Sequence, residues 1–190
     1  MEVSSETHTI VDLGCGFGTF SIPAAKIVSG KVLAYDIDED MIELMKTKIN
    51  QLGINNIELY QADFIANGTG LPANSVDYVM IFNILHHDHP EQILSEVFRI
   101  LKKDAKAGII HWRSDIETPR GPSLAIRPQS KTCVNWAKEA GFLIAKNPFI
   151  IEPYHLGLII QNHKSITYEI QFNYYPSSFL FFKFIQSKFG

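Results

Sequence analysis

Residues 8–28 have the sequence HTIVDLGCGFGTFSIPAAKIV, which carries the clearest pattern for predicting the fold. Its first segment, His8–Leu13, is short and apolar, which is typical of a buried strand. The glycines of Gly14–Gly18 interrupt that strand, and the run Thr19–Val28 is compatible with a helix. The stretch therefore predicts a strand, a glycine-rich turn and a helix, in that order.

Strands and helices continue to alternate beyond this stretch. Further strands are predicted at Lys31–Tyr35, Asn56–Tyr60, Val76–Phe82 and Ala107–Trp112, and helices at Glu39–Leu52 and Ile93–Leu101. Parallel neighbouring strands need a crossover connection, which a helix supplies. The pattern therefore predicts an α/β fold with a doubly wound, mostly parallel sheet and helices on both of its faces.

The pattern changes after the fifth strand. A loop rich in proline and glycine at residues 118–122 precedes a helix and two strands, predicted at Lys131–Ala140, Phe142–Ile151 and Tyr154–Gln161. The two strands meet at Glu152-Pro153 and are predicted to form an antiparallel hairpin that closes a seven-stranded sheet. We expect residues 1–161 to form one domain.

Residues 162–190 are an aromatic-rich extension. Its run Phe179–Ile185 is much shorter than the roughly 20 apolar residues that span a bilayer, so no transmembrane helix is expected there. The aromatic surface is typical of a contact site, and three roles stay open. Residues 165–190 could bind a partner or a second copy, touch a membrane surface, or cover the site.

Composition and charge narrow the class of function. Hydrophobic residues make up 46% of the 190 residues and charged residues 19%, enough apolar material for one core. The net charge of -3 disfavours a nucleic-acid partner, since such proteins usually present a basic face. Cys15 and Cys133 lack the paired spacing of a zinc site or a disulfide scaffold, and Met1–Glu6 lacks the start of a signal peptide. A cytoplasmic location is expected.

The spacing of the glycines points to the type of ligand. Gly18 lies two residues after Gly16, whereas the dinucleotide fingerprint places its third glycine three residues after the second. This disfavours a nicotinamide nucleotide. With Asp12 ahead of Gly14, the pattern acidic-x-Gly-x-Gly-x-Gly resembles instead the first motif of the class I S-adenosylmethionine-dependent methyltransferases.

That resemblance implies a set of residues that hold the amino-acid end of S-adenosylmethionine. They are Asp12, which would help to place the ammonium group, and the turn residues Gly14, Cys15, Gly16 and Gly18. Without the other motifs, the glycines would be explained by a tight turn alone.

Asp36 ends the second strand, about 20 residues beyond the glycines, where a carboxylate can accept hydrogen bonds from both ribose hydroxyls. The resemblance implies that Ile37 packs on the adenine face and that Asp63, followed by Phe64, binds the adenine amino group. The alternative for Asp63 is an ordinary turn aspartate. Asp38 is expected to cap the next helix instead.

The end of the fourth strand carries a second resemblance. Asn83 and the run Leu85-His86-His87 are similar to the ubiquinone/menaquinone-biosynthesis type of methyltransferase. Ligands of a doubly wound sheet bind beyond the carboxyl ends of its strands, so Asn83 and His86 are expected near the methyl-transfer centre. Asn83 is also expected to contact the cofactor. His86 is a candidate general base, with a packing role as the alternative. No metal site is expected, because the adjacent histidines point in different directions and no zinc signature accompanies them.

The implied activity is direct in-line transfer of a methyl group to a small-molecule acceptor. Such a reaction depends on alignment, because the donor is already activated. Arg113, Arg120 and Arg127 are candidates for binding an anionic acceptor, with turn anchoring or solvation as the alternative.

Two expectations concern departures from the family. Its members usually carry helices ahead of the glycine motif that cover the cofactor, whereas here the first strand begins almost at once, so we expect weaker cofactor retention. The alternative function is a module that binds the cofactor without catalysis and acts through a partner bound to the tail.

Overall fold

The computed structural model describes residues 6–163, and within them strands and helices alternate as predicted. The strands are β1 (Thr9–Leu13), β2 (Lys31–Asp36), β3 (Ile57–Gln61), β4 (Val76–Phe82), β5 (Leu101–Trp112), β6 (Phe142–Ile151) and β7 (His155–Asn162). The helices are α1 (Ser21–Ala25), α2 (Glu39–Gln51), α3 (Phe64–Asn67), α4 (Pro90–Ile100) and α5 (Ser130–Glu139), with a 3₁₀ turn at Leu124–Ile126.

The strands form one seven-stranded sheet in the order β3-β2-β1-β4-β5-β7-β6. Strands β1 to β5 are parallel to one another, and β7 is antiparallel to both β5 and β6. This confirms the doubly wound, mostly parallel fold with a closing hairpin. The chain reverses its direction of travel across the sheet between β1 and β4, and ligands of such folds bind beyond the strand ends at that point.

Both faces of the sheet are buried, and β4 shows how. Val79 and Ile81 belong to the core cluster that packs beneath α4 and α5, whereas the alternate residues Tyr78 and Met80 belong to the cluster beneath α1 and α2. Successive side chains of a strand point to opposite faces, so an apolar run of this kind requires helices on both sides. The two clusters hold the carboxyl ends of β1, β2 and β4 in fixed positions.

Some boundaries differ from the predicted ones for local reasons. Helix α1 is shorter than Thr19–Val28, because the Ile27 N–H bonds the Ala24 carbonyl three residues back and tightens the last turn. Strand β5 begins at Leu101, before the predicted Ala107, and its register with β4 shifts between Val76 and Tyr78. Helix α3 was not predicted at all.

The described chain ends just beyond the sheet. Strand β7 extends to Asn162, whose buried side-chain amide donates to the carbonyls of Phe98 and Leu101. Residues 164–190 of the aromatic extension lie outside the described residues, so the division at residue 161 and the proposed roles of the tail stay predictions. None of the helices between residues 6 and 163 has the length and apolar character needed to cross a bilayer.

Candidate cofactor and acceptor site

A pocket of about 570 Å³ opens at the carboxyl ends of the central strands. Part of its lining consists of predicted cofactor-binding residues, namely Gly14, Asp36, Ile37, Asp63 and Phe64. Further lining comes from α3 and from Ile84, His87, His89 and Gln92. The structure therefore brings together residues that follow β1, β2, β3 and β4 around one cavity large enough for a nucleoside-sized ligand.

The glycine turn is fixed to the end of β2. The backbone N–H groups of Gly14 and Cys15 both donate to the Tyr35 carbonyl, each at 2.9 Å. Gly14 has φ 75°, and a Cβ added there would lie 2.7 Å from Cδ1 of Ile84. A Cβ added to Gly16 would meet no atom within 4 Å, so the turn leaves open space above that residue.

Gly18 has a different environment. A Cβ added there would lie 3.0 Å from Ile22 Cδ1 and 3.3 Å from Met45 Cε, both in the core. Its contacts therefore pack the turn against α1 and α2. Gly18 is not part of the pocket lining, and neither are Asp12, Cys15 and Gly16.

Asp36 is held by two backbone donors. Its Oδ2 accepts from Gly16 N–H at 2.7 Å, and its Oδ1 accepts from Asp38 N–H at 3.0 Å. A carboxylate has about four acceptor positions, two on each oxygen. Each oxygen of Asp36 therefore retains capacity for a further donor, in an orientation fixed by the turn.

Two other aspartates near the pocket cap helices. Asp38 accepts from Asp40 N–H at 2.9 Å and caps α2, which confirms the capping prediction. Asp63 caps α3 through Oδ1, which accepts from Ala66 N–H at 2.9 Å. Ile37 is 62% exposed, an apolar surface at the rim of the pocket, whereas Phe64 is buried at its base.

Asp12 and Cys15 are buried behind the turn. Ser21 donates its hydroxyl to Asp12 Oδ2 at 2.5 Å, and burial raises the pKa of the Asp12 carboxyl to about 7. Burial also raises the pKa of the Cys15 thiol to about 12, with the negative charge of Asp12 as a further cause. The thiol is therefore neutral at physiological pH and unsuited to act as a nucleophile.

Asn83 follows β4 in a left-handed conformation, φ 56°, which asparagine tolerates better than most residues. Its backbone N–H donates to the Ile110 carbonyl at 2.7 Å. Its side-chain Oδ1 is buried and accepts no hydrogen bond from residues 6–163. A buried acceptor without a donor is costly. Asn83 itself is not part of the pocket lining.

His86 lies on the side of the β4 end that faces β5, and it is absent from the pocket lining. Its Nδ1 is 3.3 Å from Nε2 of His111, and the two rings are 5.4 Å apart, edge to face. Burial lowers the pKa of His86, with the neighbouring His87 as a second cause. His111, near the end of β5, was missed by the sequence analysis, although a histidine within an otherwise apolar strand is a usable signal.

The neighbouring histidines are exposed. His87 Nδ1 accepts from His89 N–H at 3.2 Å, and His89 Nδ1 lies 3.3 Å from Glu91. Throughout the part of the chain that the structure describes, no three His, Cys, Asp or Glu side chains are grouped to hold a metal ion.

The three arginines do not converge on one point. Arg113 pairs with the exposed Asp115 through two bonds of 3.0 and 2.8 Å and lines a second cavity of about 500 Å³ beyond β5 and β7. Arg120 is exposed. Arg127 is buried, and its guanidinium donates to the carbonyls of Pro122 at 2.8 Å and Arg113 at 2.9 Å. Turn anchoring describes the contacts of Arg127 better than an acceptor site does.

Replacing Arg127 by Met is expected to lower the free energy of unfolding by about 3 kcal/mol, because the substitution leaves carbonyls without their charged donor. Chemical denaturation measures this change, and Arg120→Met, which removes an exposed arginine from the same loop, is the matched control. An Arg127→Met protein as stable as the control would refute the anchoring role.

Comparison with known proteins agrees with the fold and the motifs. A family model described as a methyltransferase domain matches residues 10–104, half of the chain. The demethylmenaquinone methyltransferase of Lactobacillus johnsonii is 33% identical over 137 residues, covering 69% of this chain and 54% of that protein. The ubiquinone/menaquinone biosynthesis C-methyltransferase of Pasteurella multocida is 28% identical over 116 residues, covering 59% of this chain and 42% of that protein.

The chain thus spans about half the length of the curated relatives it matches. Among solved structures, a SAM-dependent methyltransferase from Aquifex aeolicus superposes with a TM-score of 0.76 at 26% identity, with 84% of each chain covered. The family match shows that the chain belongs to the methyltransferase-domain family, with the fold of the class I S-adenosylmethionine-dependent methyltransferases, and that it is similar to members named for ubiquinone and menaquinone biosynthesis.

Proposed function

We propose that this chain binds S-adenosylmethionine in the 570 Å³ pocket and directs in-line transfer of its methyl group to a small-molecule acceptor. The observation that carries the proposal is the Asp36 carboxylate, which Gly16 and Asp38 orient at the pocket while leaving each oxygen able to accept a further bond. A carboxylate fixed in this way can accept hydrogen bonds from the two adjacent hydroxyls of a ribose.

Other residues would bind different parts of the cofactor. Ile37 and Phe64 offer apolar surface to the adenine, and Asp63 retains its Oδ2 for the adenine amino group while Oδ1 caps α3. The amino-acid end would lie along the turn, over the open space at Gly16. Asp12 would act from behind the turn, where its hydrogen bond with Ser21 ties the end of β1 to the start of α1.

S-adenosylmethionine supplies a methyl group on a positively charged sulfur, which departs with the bonding electrons. The protein therefore has mainly to align the acceptor behind that methyl group and to exclude water. The Lactobacillus johnsonii relative is named for demethylmenaquinone, and a quinone-type ring is the acceptor class that we propose first.

The turn should be sensitive to a single added carbon. Gly14→Ala places a Cβ in a left-handed conformation and against Ile84, which must then move within the pocket that both residues line. We expect the affinity for S-adenosylmethionine to fall roughly tenfold or more. Gly53→Ala is the matched control, because Gly53 has φ 64° with no atom within 4 Å of an added Cβ. Equal affinities of the two variants in a calorimetric titration would contradict the assignment.

Transfer itself can be followed with the tritiated methyl group of S-adenosylmethionine, mixed with demethylmenaquinone-type quinols or with a small-molecule extract. The proposal expects label in the low-molecular-mass fraction, and much less label with the Asp36→Ala variant at a cofactor concentration that does not saturate it. Label in nucleic acid or protein would overturn the acceptor class, and binding without transfer to any fraction would overturn the enzymatic activity.

A further inference from the structure

His111 is wholly buried near the end of β5, and both of its ring nitrogens have partners. Nδ1 lies 3.1 Å from the Trp112 carbonyl oxygen, and Nε2 lies 3.3 Å from Nδ1 of His86. A carbonyl oxygen can only accept a hydrogen bond, so His111 must carry a proton on Nδ1.

The charge of the His111 ring determines which of the other ring nitrogens of His111 and His86 carry a proton. Burial lowers the pKa of His111 to about 4, so the ring is neutral at physiological pH and its Nε2 carries a lone pair. That lone pair needs a donor, and the atom that faces it is Nδ1 of His86. His86 is also neutral, since burial and His87 lower its pKa. Its own lone pair must therefore lie on Nε2, the nitrogen farther from His111.

We propose that His111 is a positioning residue that holds the His86 ring with its proton on Nδ1 and its lone pair on Nε2, so that His86 can take a proton from the methyl acceptor. This inference rests on the proposed function for the identity of the reaction. It assigns a role to a residue on β5 and orients the base through a chain of bonds from the Trp112 carbonyl to His111 and then to His86.

The proposal restricts the acceptor to a class. Its reacting oxygen, nitrogen or carbon must carry an acidic hydrogen, as in a phenol or an enolisable ring carbon. The acceptor–hydrogen bond breaks, its proton goes to Nε2 of His86, and the freed electron pair forms the bond to the methyl group. The positive charge lost from the sulfonium is then carried by the His86 imidazolium, which is half-exposed and can release the proton to water.

The charges around the pair support a neutral resting state. His87 opposes protonation of His86, while His86, Arg127 and His155 oppose protonation of His111. The guanidinium of Arg127 is fixed in position by the carbonyls of Pro122 and Arg113. Both rings should therefore keep single, defined tautomers at physiological pH.

Nitrogen-15 NMR of the histidine-labelled full chain tests the proposal without any acceptor, because ring nitrogens with and without a proton differ in chemical shift. His86→Gln assigns the His86 signals. We expect wild-type His86 to be mainly protonated on Nδ1, and in His111→Leu to change to the Nε2–H form that histidine prefers in water. His111→Gln offers an amide oxygen as acceptor and should restore the wild-type tautomer, whereas the exposed His8→Gln should leave it unchanged.

A wild-type His86 protonated on Nε2 would overturn the proposal, and so would an unchanged tautomer in a folded His111→Leu protein. If His111→Leu does not fold, the wild-type tautomer alone decides. Calorimetric binding of S-adenosylmethionine to the same samples tests the proposed function separately. Absence of binding would refute the proposed function. The NMR measurement of the His86 tautomer would still test the role of His111 independently.

Discussion

Asp36→Ala is expected to weaken the binding of S-adenosylmethionine by roughly ten- to 150-fold, equivalent to about 1.5 to 3 kcal/mol. The variant loses a charged acceptor for the ribose and also the 2.7 Å bond that fixes Gly16 N–H in the turn. The affinity of Asp36→Asn should lie between those of the wild type and Asp36→Ala, since an amide keeps one acceptor oxygen. Calorimetric titration at a single ionic strength measures all three affinities.

Asp38→Ala is the control that distinguishes loss of the Asp36 contact with the ribose from a general loss of negative charge. It removes the same charge two residues away, and with it the cap of α2, which should cost about 1 kcal/mol of stability. We expect its affinity to stay close to that of the wild type. If Asp36→Ala and Asp38→Ala weaken binding equally, the carboxylate of Asp36 does not bind the ribose.

Asp12→Asn is expected to become more stable relative to the wild type by about 4 kcal/mol as the pH rises from about 4 to about 8. Burial raises the pKa of Asp12 from 3.8 to about 7, so in this range the folded protein retains a proton that the unfolded chain releases. The proton stabilises the fold fully below pH 3.8, and that contribution is lost as the pH rises to about 7. Asparagine does not ionise and keeps an acceptor for Ser21.

The quantity to measure is the difference in free energy of unfolding between Asp12→Asn and the wild type. His111, whose pKa is lowered to about 4, makes the protein less stable in acid, in the opposite sense to Asp12. Glu96, with a pKa lowered to about 2 by its bonds to Arg99 and Thr69 against the effect of burial, also titrates in both proteins. These contributions cancel in the comparison. Urea denaturation at several pH values gives the difference, and a difference independent of pH would show that Asp12 is ionised in the fold.

Local patterns were enough to predict the sheet and much of the pocket. The glycine turn and Asp36 lie next to each other because the carboxyl ends of adjacent parallel strands meet at one edge, which the strand order alone implies. The cap at Asp38 follows from its position before a helix. The exact start of β5 could not be predicted, because four of the five residues 102–106 are charged and the register with β4 shifts there.

The remaining parts of the site depend on contacts between distant residues. Nothing around position 127 in the sequence indicates that this arginine bonds the carbonyls of Pro122 and Arg113, and its residue type alone suggested an acceptor site. The partner of His86 is likewise 25 residues away, on the adjacent strand. The left-handed backbone of Asn83 and its unpaired amide oxygen also emerge from the fold and not from the sequence motif.

Calorimetric titration of the wild-type protein with S-adenosylmethionine, with NAD as the comparison ligand, measures whether the pocket is a cofactor site. We expect one site of roughly micromolar affinity for S-adenosylmethionine and no measurable binding of NAD. Absence of S-adenosylmethionine binding, or preference for NAD, would contradict that role of the pocket.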